Sequence, residues 1–345
     1  MTIKNKIIIT GGNGFIGSHI VKAFSNNGVK VSCLVRKASN LDYIKQYDVE
    51  LKYGDIRDQQ SLINAFKGYD FVIHNAAYAK DWGGYDTFYQ TNVEGTVNVL
   101  NACVVNGIKD AIVTSTNSVY GEEDSSEIKS ENSPYNSHYP YFLDSMFPCK
   151  LNHYRDTKRI ASEKAIDFAT IKGMNLTILE PVWVYGENGK DTVFLEYIKS
   201  VEQGIPVSPG SRKNKFHVVY AADVARAYYL AFTKQLKGIH RIIIGDHKHE
   251  HLDNIFSLFC EHAKVKKPIL LPKWMVYPLG FFLELIYTMF NVKNPPLLTR
   301  GRVNMFYDNI EYSTDRAEQV LGYKSSYDLD EGIKNTVKWY KEQAG

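Results

Sequence analysis

The sequence has few of the features that mark disulfide-rich, metal-binding or nucleic-acid-binding proteins. Its 4 cysteines among 345 residues, Cys33, Cys103, Cys149 and Cys260, are scattered and form no CxxC pair. This spacing argues against a disulfide framework or a zinc site and is typical of a reducing compartment. The net charge is only +3, with no long basic run or arm. Nucleic-acid binding therefore has no electrostatic support.

Long apolar runs are also scarce. The apolar part of the N-terminal MTIKNKIIIT is too short for a signal peptide, so we expect a cytoplasmic protein. The segment 274–290, WMVYPLGFFLELIYTMF, is the exception, but it is short for a membrane span and Pro278, Gly280 and Glu284 interrupt it. We expect either peripheral contact with a membrane surface or a helix that covers a substrate pocket or a subunit interface.

A glycine-rich turn near the N-terminus is the clearest positive feature. In KIIITGGNGFIG, Gly11, Gly14 and Gly17 follow an apolar strand pattern at GxxGxxG spacing, with Phe15 and Ile16 in the same turn. The first glycine permits a sharp turn, the second lets the backbone approach a pyrophosphate, and the third lets the helix pack close to the strand. The N–H groups at the start of the helix suit phosphate oxygens, which predicts a bound dinucleotide.

Short apolar runs alternate with helical patterns through the first half of the chain, which predicts βαβ units. The expected fold class is α/β, with a Rossmann doubly wound parallel sheet over 1–181, further Rossmann elements near 216–245, and a smaller, mainly helical substrate domain interleaved over 182–345. Ligands of such a sheet bind at the carboxyl ends of its strands. The predicted strands are 7–10, 31–35, 50–54, 71–76, 111–116, 175–181 and 239–245, and the predicted helices are 15–27, 59–66, 86–105, 150–171 and 221–234.

The residues after the second predicted strand bear on the choice of dinucleotide. NAD-binding domains tend to carry an acid there, which bonds the ribose 2′-hydroxyl, whereas an arginine suits the 2′-phosphate of NADP. This chain has Arg36 and Lys37 and no acid at that point. We therefore favour NADP(H) and keep NAD(H) as the alternative, in which Arg36 would be a solvated loop charge.

Tyr154 and Lys158 form a YxxxK motif whose i, i+4 spacing puts both side chains on one face of a helix. A nearby ammonium would stabilise the phenolate and lower the tyrosine pKa from its usual value of about 10. Thr116, or failing that Ser115, would supply a hydroxyl to hold the substrate oxygen. The motif is common by chance, and the alternative for Tyr154 is a half-buried helix aromatic.

Three alternating histidines are a candidate metal site. On a strand, His247, His249 and His251 would share a face and could bind a metal. The segment instead has the pattern of a polar loop that enters a helix, and the chemistry above needs no metal. We therefore predict no metal site.

Over essentially its full length, the chain resembles the extended short-chain dehydrogenases/reductases of the NAD-dependent epimerase/dehydratase superfamily. Within them it is most similar to the 3β-hydroxysteroid dehydrogenase group, which includes sterol 4-carboxylate 3-dehydrogenases and bacterial 2-alkyl-3-oxoalkanoate reductases. WGGYDTFYQTNVEGT, LLTRGRV and the tail from STDRAEQVLGY carry the closer resemblance. The segments that match the superfamily in order are TGGNGFIG, GDIRD, HNAA, TNVEGTVNVL, TSTNSVYG, YRDTK and FHVVYAADVARAYYLAF.

The resemblance implies a role for each residue at a matching position. Tyr154 would be the general acid/base, Lys158 would lower its pKa and hold the nicotinamide ribose, and Thr116 would bond the carbonyl oxygen. Asp55 and Ile56 would lie at the adenine. The other residues expected to contact the cofactor are Asn75, Ala76, Ala77, Asn92, Ser115, Pro181, Val182 and Val184.

The chain also departs from the family. Many extended members have Arg-Pro where this chain has Glu180-Pro181, which puts local packing and substrate contacts in question. The resemblance further implies a homodimer in which the helices 86–105 and 150–171 pair between two copies.

The resulting prediction is an NADP(H)-dependent oxidoreductase that interconverts a secondary alcohol and a ketone on a small hydrophobic substrate of the 3-keto steroid or 3-oxoacyl type. The alternative is a nucleotide-sugar epimerase with tightly bound NAD(P), for which Arg212 is a candidate diphosphate contact. A dehydratase is disfavoured because Asn117 and Ser118 follow Thr116 where dehydratases typically have Asp-Glu. A non-catalytic NADP sensor is disfavoured because both residues of the YxxxK motif are present.

Overall fold

The computed structural model describes residues 6–121 and 127–344 of the chain. A π-helical segment, Tyr89–Glu94, and a 3-10 turn, Asn117–Tyr120, accompany the regular elements. The strands are β1 (Ile7–Thr10), β2 (Val31–Val35), β3 (Glu50–Tyr53), β4 (Phe71–His74), β5 (Asp110–Thr114), β6 (Asn175–Pro181), β7 (Trp183–Tyr185), β8 (Val207–Pro209), β9 (Lys215–Phe216), β10 (Val218–Tyr220), β11 (Ile239–Ile244), β12 (Glu250–His251) and β13 (Ile269–Leu271). The helices are α1 (Phe15–Asn26), α2 (Gln59–Ala65), α3 (Tyr85–Phe88), α4 (Gly95–Val105), α5 (Lys150–Lys172), α6 (Val193–Glu202), α7 (Ala221–Lys234), α8 (Leu252–Ala263), α9 (Lys273–Met289), α10 (Arg300–Met305), α11 (Asp315–Leu321) and α12 (Leu329–Ala344).

A seven-stranded parallel sheet forms the centre of the fold, in the order β11-β6-β5-β4-β1-β2-β3. The chain runs outward from β1 to β3 and then returns to β4 on the other side of β1, so the strand order reverses between β1 and β4. A crevice opens at such a reversal, beyond the carboxyl ends of the strands. This topology confirms the predicted α/β fold with a doubly wound parallel sheet.

Helices cover both faces of the sheet because successive strand residues point to opposite sides. Ile7 and Ile9 of β1 belong to a core cluster that includes Phe24 of α1 and Phe232 of α7. Ile8 belongs to a second cluster on the opposite face, against α2, α4 and α5. Burial on both faces explains why the sheet strands read as continuous apolar runs instead of alternating patterns.

The part of the chain after β6 is mainly helical, as predicted, but it also returns to the sheet. Strand β11 pairs in parallel with β6, from Ile239 opposite Leu176 to Ile244 opposite Pro181. The remaining strands form two-stranded pairs, β10-β7, β12-β9 and β13-β8. The predicted domain boundary at residue 181 stays a prediction.

The apolar segment 274–290 forms most of helix α9, which contains Pro278. A buried ion pair between Glu284 of α9 and Arg300 of α10 joins the two helices, with Arg300 Nε 3.0 Å from Glu284 Oε2. Among the residues that the structure describes, no helix is long and apolar enough to cross a membrane.

Candidate active site

The glycine-rich turn lies directly against the loop that follows β4. Gly11 has a φ of +69°, and a Cβ on it would lie 2.7 Å from the Ala76 Cα. A Cβ on Gly17 would lie 2.0 Å from the Gly11 carbonyl oxygen, so α1 packs against the turn at a distance that only glycine permits. Gly14 is exposed at the N-cap of α1, which therefore begins without a side-chain cap. Phe15 and Ile16 follow it in the first turn, half-buried, and this cradle fits a pyrophosphate.

A chain of hydrogen bonds connects the turn to Lys158. Asn75 Nδ2 donates to the Gly11 carbonyl oxygen at 3.4 Å. Thr114 Oγ1 donates to Asn75 Oδ1 at 3.1 Å, and Lys158 Nζ donates to the Thr114 carbonyl oxygen at 2.7 Å. The ends of β4 and β5 and the middle of α5 are thereby fixed relative to the cofactor turn.

Lys158 is buried, with 4% of its surface exposed. Loss of hydration lowers its pKa from 10.5 to about 8. Tyr154 lies one helical turn earlier on α5 and is half-buried. Burial raises the pKa of Tyr228, and a phenolate at Tyr154 would raise it further; the Tyr228 hydroxyl lies 2.5 Å from Thr114 Oγ1. The two residues of the YxxxK motif therefore lie at the same sheet edge as the glycine turn.

A second set of hydrogen bonds, centred on His74, connects two other predicted cofactor residues. The Ala76 N–H donates to Thr10 Oγ1 at 3.2 Å, and Thr10 Oγ1 lies 2.8 Å from His74 Nδ1. His74 Nε2 lies 3.1 Å from Thr96 Oγ1, which donates its own proton to the Asn92 carbonyl oxygen at 2.6 Å. Since the Thr96 proton goes to Asn92, His74 Nε2 donates to Thr96 Oγ1, and Thr10 Oγ1 donates to the unprotonated Nδ1. Burial first, and the Lys158 charge second, lower the His74 pKa to about 3, which keeps the ring neutral.

The predicted continuous helix 86–105 is wrong in one respect, because the π-helical segment Tyr89–Glu94 separates α3 from α4. Asn92 lies in that segment and is fully buried. Its side chain accepts from the Tyr78 N–H at 2.8 Å and donates to Thr157 Oγ1 at 3.2 Å. Asn92 therefore fixes the loop after the exposed Ala77 against the helix that carries Tyr154 and Lys158.

Thr116 begins the 3-10 turn that follows β5 and is 8% exposed. Its Oγ1 accepts from the Ser118 N–H at 3.3 Å, which fixes the side chain at the edge of the sheet. Ser115 differs, since its hydroxyl lies 2.7 Å from that of Ser162 on α5. Of the two hydroxyls considered from the sequence, that of Ser115 therefore bonds to α5, whereas that of Thr116 bonds within its own turn, where it lies 3.2 Å from the Ser118 hydroxyl.

The opposite end of the crevice carries two arginines. Arg36 and Lys37 are exposed after β2, on a loop that Asn13 of the glycine turn contacts through the Asn40 carbonyl oxygen at 3.0 Å. Asp55, after β3, forms an ion pair with Arg57, Oδ2 to Nη2 2.9 Å. Hydrogen bonds from Arg57, with a smaller contribution from the Arg36 charge, hold the Asp55 pKa below its usual value. The neighbouring Ile56 is buried.

The carboxyl end of β6 places Pro181 and Val182 in buried positions, and Val184 follows half-buried in β7. The Val182 N–H donates to the Ile244 carbonyl oxygen at 2.9 Å, so β11 supports this end of β6. Glu180, the departure noted in the sequence, is fully buried and accepts from the Tyr120 hydroxyl at 2.5 Å. Arg241 of β11 faces it, Nε to Oε1 3.5 Å.

Sequence reasoning missed several residues that organise the site. Thr10, His74 and Thr114 each end a buried apolar strand, and Tyr228 reaches Thr114 from α7. A polar residue at the end of an apolar run is the signal that could have identified the first three. Nothing in the local sequence marks Tyr228, because its partner lies 114 residues away.

The structure groups the alternating histidines with other partners. His249 Nδ1 lies 2.8 Å from Glu311 Oε2, and His249 Nε2 lies 2.9 Å from the Tyr312 carbonyl oxygen. Within residues 6–121 and 127–344, no group of three His, Cys, Asp or Glu side chains could hold a metal ion.

Comparison with known proteins identifies the family of the chain. A family model described as NAD dependent epimerase/dehydratase family matches residues 7–245. The chain is 27% identical to 2-alkyl-3-oxoalkanoate reductase of Stenotrophomonas maltophilia (strain K279a), across 95% of this chain and 97% of that protein. It is 24% identical to the decarboxylating sterol-4-alpha-carboxylate 3-dehydrogenase of Mus musculus, across 96% and 90%. It is 25% identical to N-acetyl-alpha-D-glucosaminyl-diphospho-ditrans,octacis-undecaprenol 4-epimerase of Escherichia coli O157:H7, across 98% and 96%.

Solved structures share the fold along the whole chain. The crystal structure of gox2253 matches with a TM-score of 0.78 at 22% identity, covering 99% of each chain. MoeE5 in complex with UDP-glucuronic acid and NAD matches with a TM-score of 0.75 at 21% identity, covering 98% of this chain and 99% of that one. At such identities the likeness establishes the fold alone.

Proposed function

Because the chain belongs to the NAD-dependent epimerase/dehydratase family, we propose that it is an NADP(H)-dependent oxidoreductase that interconverts a secondary alcohol and a ketone on a hydrophobic substrate. The observation that carries the proposal is the buried Lys158 ammonium one helical turn after Tyr154, hydrogen-bonded at 2.7 Å to the strand end beside the glycine turn. The cradle at Gly11, Gly14 and Gly17 fits a dinucleotide, and the other end of the same edge carries Thr116.

When bound, the nicotinamide would supply or take up a hydride at the substrate carbon. In the reducing direction, the Tyr154 hydroxyl donates a proton to the carbonyl oxygen, and in oxidation the phenolate takes the proton back. The Lys158 ammonium favours that phenolate electrostatically, by an effect that burial strengthens. The Thr116 hydroxyl holds the substrate oxygen. Asn92 bonds both to α5 and to the loop after β4, and so fixes their relative position.

The NADP preference rests on the charges after β2 and β3. Arg36 is exposed beside the loop that Asn13 contacts, and Arg57 lies with Asp55 at the neighbouring strand end. A guanidinium binds a phosphate in a forked geometry, while an acid in the same place would repel it. Arg57 compensates the charge of Asp55, the acid at this end, which leaves Arg36 available for a 2′-phosphate.

Two observations favour an apolar substrate. The relatives named above include a 2-alkyl-3-oxoalkanoate reductase and a sterol dehydrogenase. In addition, Trp82 on the loop after the cofactor-lining Ala77 packs against Tyr287 of the apolar helix α9, with ring centroids 6.4 Å apart. We infer a 3-keto steroid or 3-oxoacyl type of substrate.

A nucleotide-sugar epimerase with tightly bound NAD(P) is the second candidate, which the 25% identity to the Escherichia coli O157:H7 epimerase favours. Arg212, the candidate diphosphate contact, is exposed and lines a surface cavity with Lys267 and Leu270. Such an enzyme returns its hydride to the same substrate, so no cofactor would be consumed.

The test follows NADPH absorbance with 3-keto steroids, 3-oxoacyl compounds and nucleotide sugars. We expect consumption of NADPH with a ketone, and loss of turnover by about 100-fold or more in Tyr154→Phe with cofactor binding retained. Tyr327→Phe is the matched control, because it makes the same substitution at a tyrosine in the loop before α12. Sugar turnover without NADPH consumption would instead support the epimerase, and full activity in Tyr154→Phe would reject the role of that hydroxyl.

A further inference from the structure

Helix α9 carries an exposed apolar stripe along its full length. From Met275 to Met289 the stripe residues follow one another at intervals of four, three, four and three positions, which at 3.6 residues per turn places them on one face. Trp274 and Phe290, at the two ends of the stripe, are 75% and 76% exposed. The exposed large apolar residues between them are Met275, Leu279, Phe282, Ile286 and Met289. Monomeric proteins rarely expose a contiguous apolar patch of this size without a partner.

A loop from another part of the chain extends this stripe. Phe142 and Met146, before α5, are 58% and 68% exposed. The Phe142 ring packs on that of Phe281 in α9, with centroids 5.3 Å apart, and the Phe142 N–H donates to the Tyr277 hydroxyl at 3.3 Å. We call the exposed apolar side chains of 274–290 and 142–146 together the apolar surface.

The inner side of α9 is firmly held, so the outer side keeps its position. Glu284 and Arg300 are both buried, and two Arg300 nitrogens donate to the Glu284 carboxylate at 3.0 and 3.1 Å. The same guanidinium donates to the Phe142 and Phe147 carbonyl oxygens, each at 2.5 Å. One buried arginine thus fixes α9 and the loop 142–147 to each other.

Within the two segments that carry the apolar surface, the charged side chains that face solvent are lysines. The segments 142–151 and 273–299 lie wholly within the described part of the chain and contain one acid each, Asp144 and Glu284. Both acids are buried, at 9% and 2% exposure. Lys150 and Lys293 are partly or fully exposed, whereas the half-exposed Lys273 forms an ion pair with the buried Asp308, Nζ to Oδ1 3.0 Å. An apolar face with a cationic border complements an anionic lipid surface.

We propose that the apolar surface docks onto an anionic phospholipid membrane, with α9 lying along the plane of the lipid headgroups. Among the described residues no helix could cross a membrane, so α9 lies on the bilayer, as its interrupting Pro278 and buried Glu284 require. A second copy of the chain fits less well, because a two-fold contact through this face would bring the lysine border of each copy against that of the other.

The docked surface adjoins the candidate active site. The Trp82 indole N–H donates to the Val292 carbonyl oxygen at 2.9 Å, just beyond α9. Gly83, next to Trp82, bonds through its carbonyl oxygen to His153, the residue before Tyr154, at 3.3 Å. A membrane under α9 would therefore hold an apolar substrate close to the site. This consequence rests on the proposed function, whereas the docking proposal is independent of it.

The experiment is flotation of the full chain with vesicles of phosphatidylcholine alone and of phosphatidylcholine with an equal amount of phosphatidylglycerol. We expect flotation with the anionic vesicles, reduced by about tenfold or more in Phe282→Glu with Ile286→Glu, because both side chains are exposed in the stripe. Ile171→Glu, which changes a still more exposed apolar residue at the end of α5, is the control and should float as the unchanged protein does. Vesicles should also blue-shift the tryptophan emission, and Trp274→Phe should remove that shift while still floating.

Failure of the unchanged protein to float with either vesicle would overturn the proposal. So would undiminished flotation of the double glutamate variant, because the contact would then lie elsewhere. Light scattering tests the remaining outcome. If the unchanged protein does not float and has the mass of two chains, and the double variant has the mass of one, the surface binds a second copy and the membrane proposal is rejected. None of these readouts depends on catalytic activity, so their failure is distinct from failure of the proposed oxidoreductase.

Discussion

Lys158 is the residue at which stability and chemistry conflict most directly. Its ammonium is nearly excluded from water, and the bond from Nζ to the Thr114 carbonyl oxygen replaces only part of its hydration. Burial of a cation is costly, which is why its pKa falls to about 8. Such a cost persists at sites where a charged group serves the reaction.

Replacement of Lys158 by methionine should stabilise the fold near neutral pH. The folded-state pKa of about 8 lies below the usual 10.5, so between these two values the unfolded chain binds more protons and the unchanged protein gains stability as pH rises. Below pH 8 the full cost of the buried ammonium is present. We expect Lys158→Met to raise the free energy of unfolding by about 1 to 3 kcal/mol at pH 7, with the advantage disappearing toward pH 10.5.

Urea unfolding at several pH values checks this prediction, with Lys164→Met, an exposed lysine of the same helix, as the control. The same variant should lose turnover by about 100-fold or more. A destabilised Lys158→Met at pH 7 would mean that the Thr114 contact outweighs the desolvation.

At the level of single residues, the local motifs were predictable from the sequence, but the distant residues that hydrogen-bond to them were not. Gly11 and Gly17 follow from GxxGxxG spacing because the steric need for glycine is set within a few residues. The bond of Tyr228 to Thr114 joins positions 114 residues apart, and the bond of Thr10 to His74 joins positions 64 apart. Such pairs depend on strand order, which a single residue's neighbours do not encode.

Among elements, the π-helical segment Tyr89–Glu94 shows where the helical pattern alone falls short. Apolar spacing predicted one helix over 86–105, and the periodicity does not distinguish i→i+4 from i→i+5 bonding over a single turn. The wider turn buries Asn92, whose amide contacts both Tyr78 and Thr157. A polar residue in the middle of a buried helix face was the available clue.

Strands β6 and β11 and the 3-10 turn meet at a buried ion pair that gives a second prediction. Burial raises the pKa of Glu180 to about 7, an effect that the Arg241 charge opposes. Arg241→Ala would leave that carboxylate uncompensated, so we expect a loss of about 2 to 4 kcal/mol in the free energy of unfolding at pH 8. At pH 5 the loss should be smaller, because Glu180 can then be protonated.

Chemical unfolding at the two pH values measures this loss, and Arg241→Ala combined with Glu180→Gln is the control. The double variant should recover much of the stability, since no buried charge is left without a partner. Turnover should also fall in Arg241→Ala. The Tyr120 hydroxyl bonds to Glu180, and Tyr120 is the last residue of the 3-10 turn that Thr116 begins, so a change at the ion pair would shift Thr116. Equal losses at pH 5 and pH 8 would contradict a charge-based cause.

For the whole molecule, the alternation of apolar runs and helices predicted the sheet up to β6, because consecutive βαβ units have one favoured handedness. The strand at 239–245 was predicted, but its pairing with β6 at the sheet edge was not, and the two-stranded pairs such as β9 with β12 were not predicted either. Strands of two residues carry almost no pattern of their own and form where distant segments pair. The homodimer through the helices 86–105 and 150–171 stays a prediction.

Cofactor binding should stabilise the whole chain, because the crevice touches β1, β2, β3, β4 and α5 together. A ligand at about 100 times its Kd adds about 2.7 kcal/mol to the free energy of unfolding, which for a chain of this length corresponds to a rise in Tm of about 3 °C or more. We expect a larger rise with NADP⁺ than with equal NAD⁺, since Arg36 would contact only the 2′-phosphate. Arg36→Ala should therefore reduce the NADP⁺ shift and leave the NAD⁺ shift unchanged, while Lys67→Ala, an exposed cation beyond α2, changes neither. Equal Tm shifts with the two cofactors in the unchanged protein would mean that the chain does not prefer NADP⁺ to NAD⁺. Arg36 would then be a solvated loop charge.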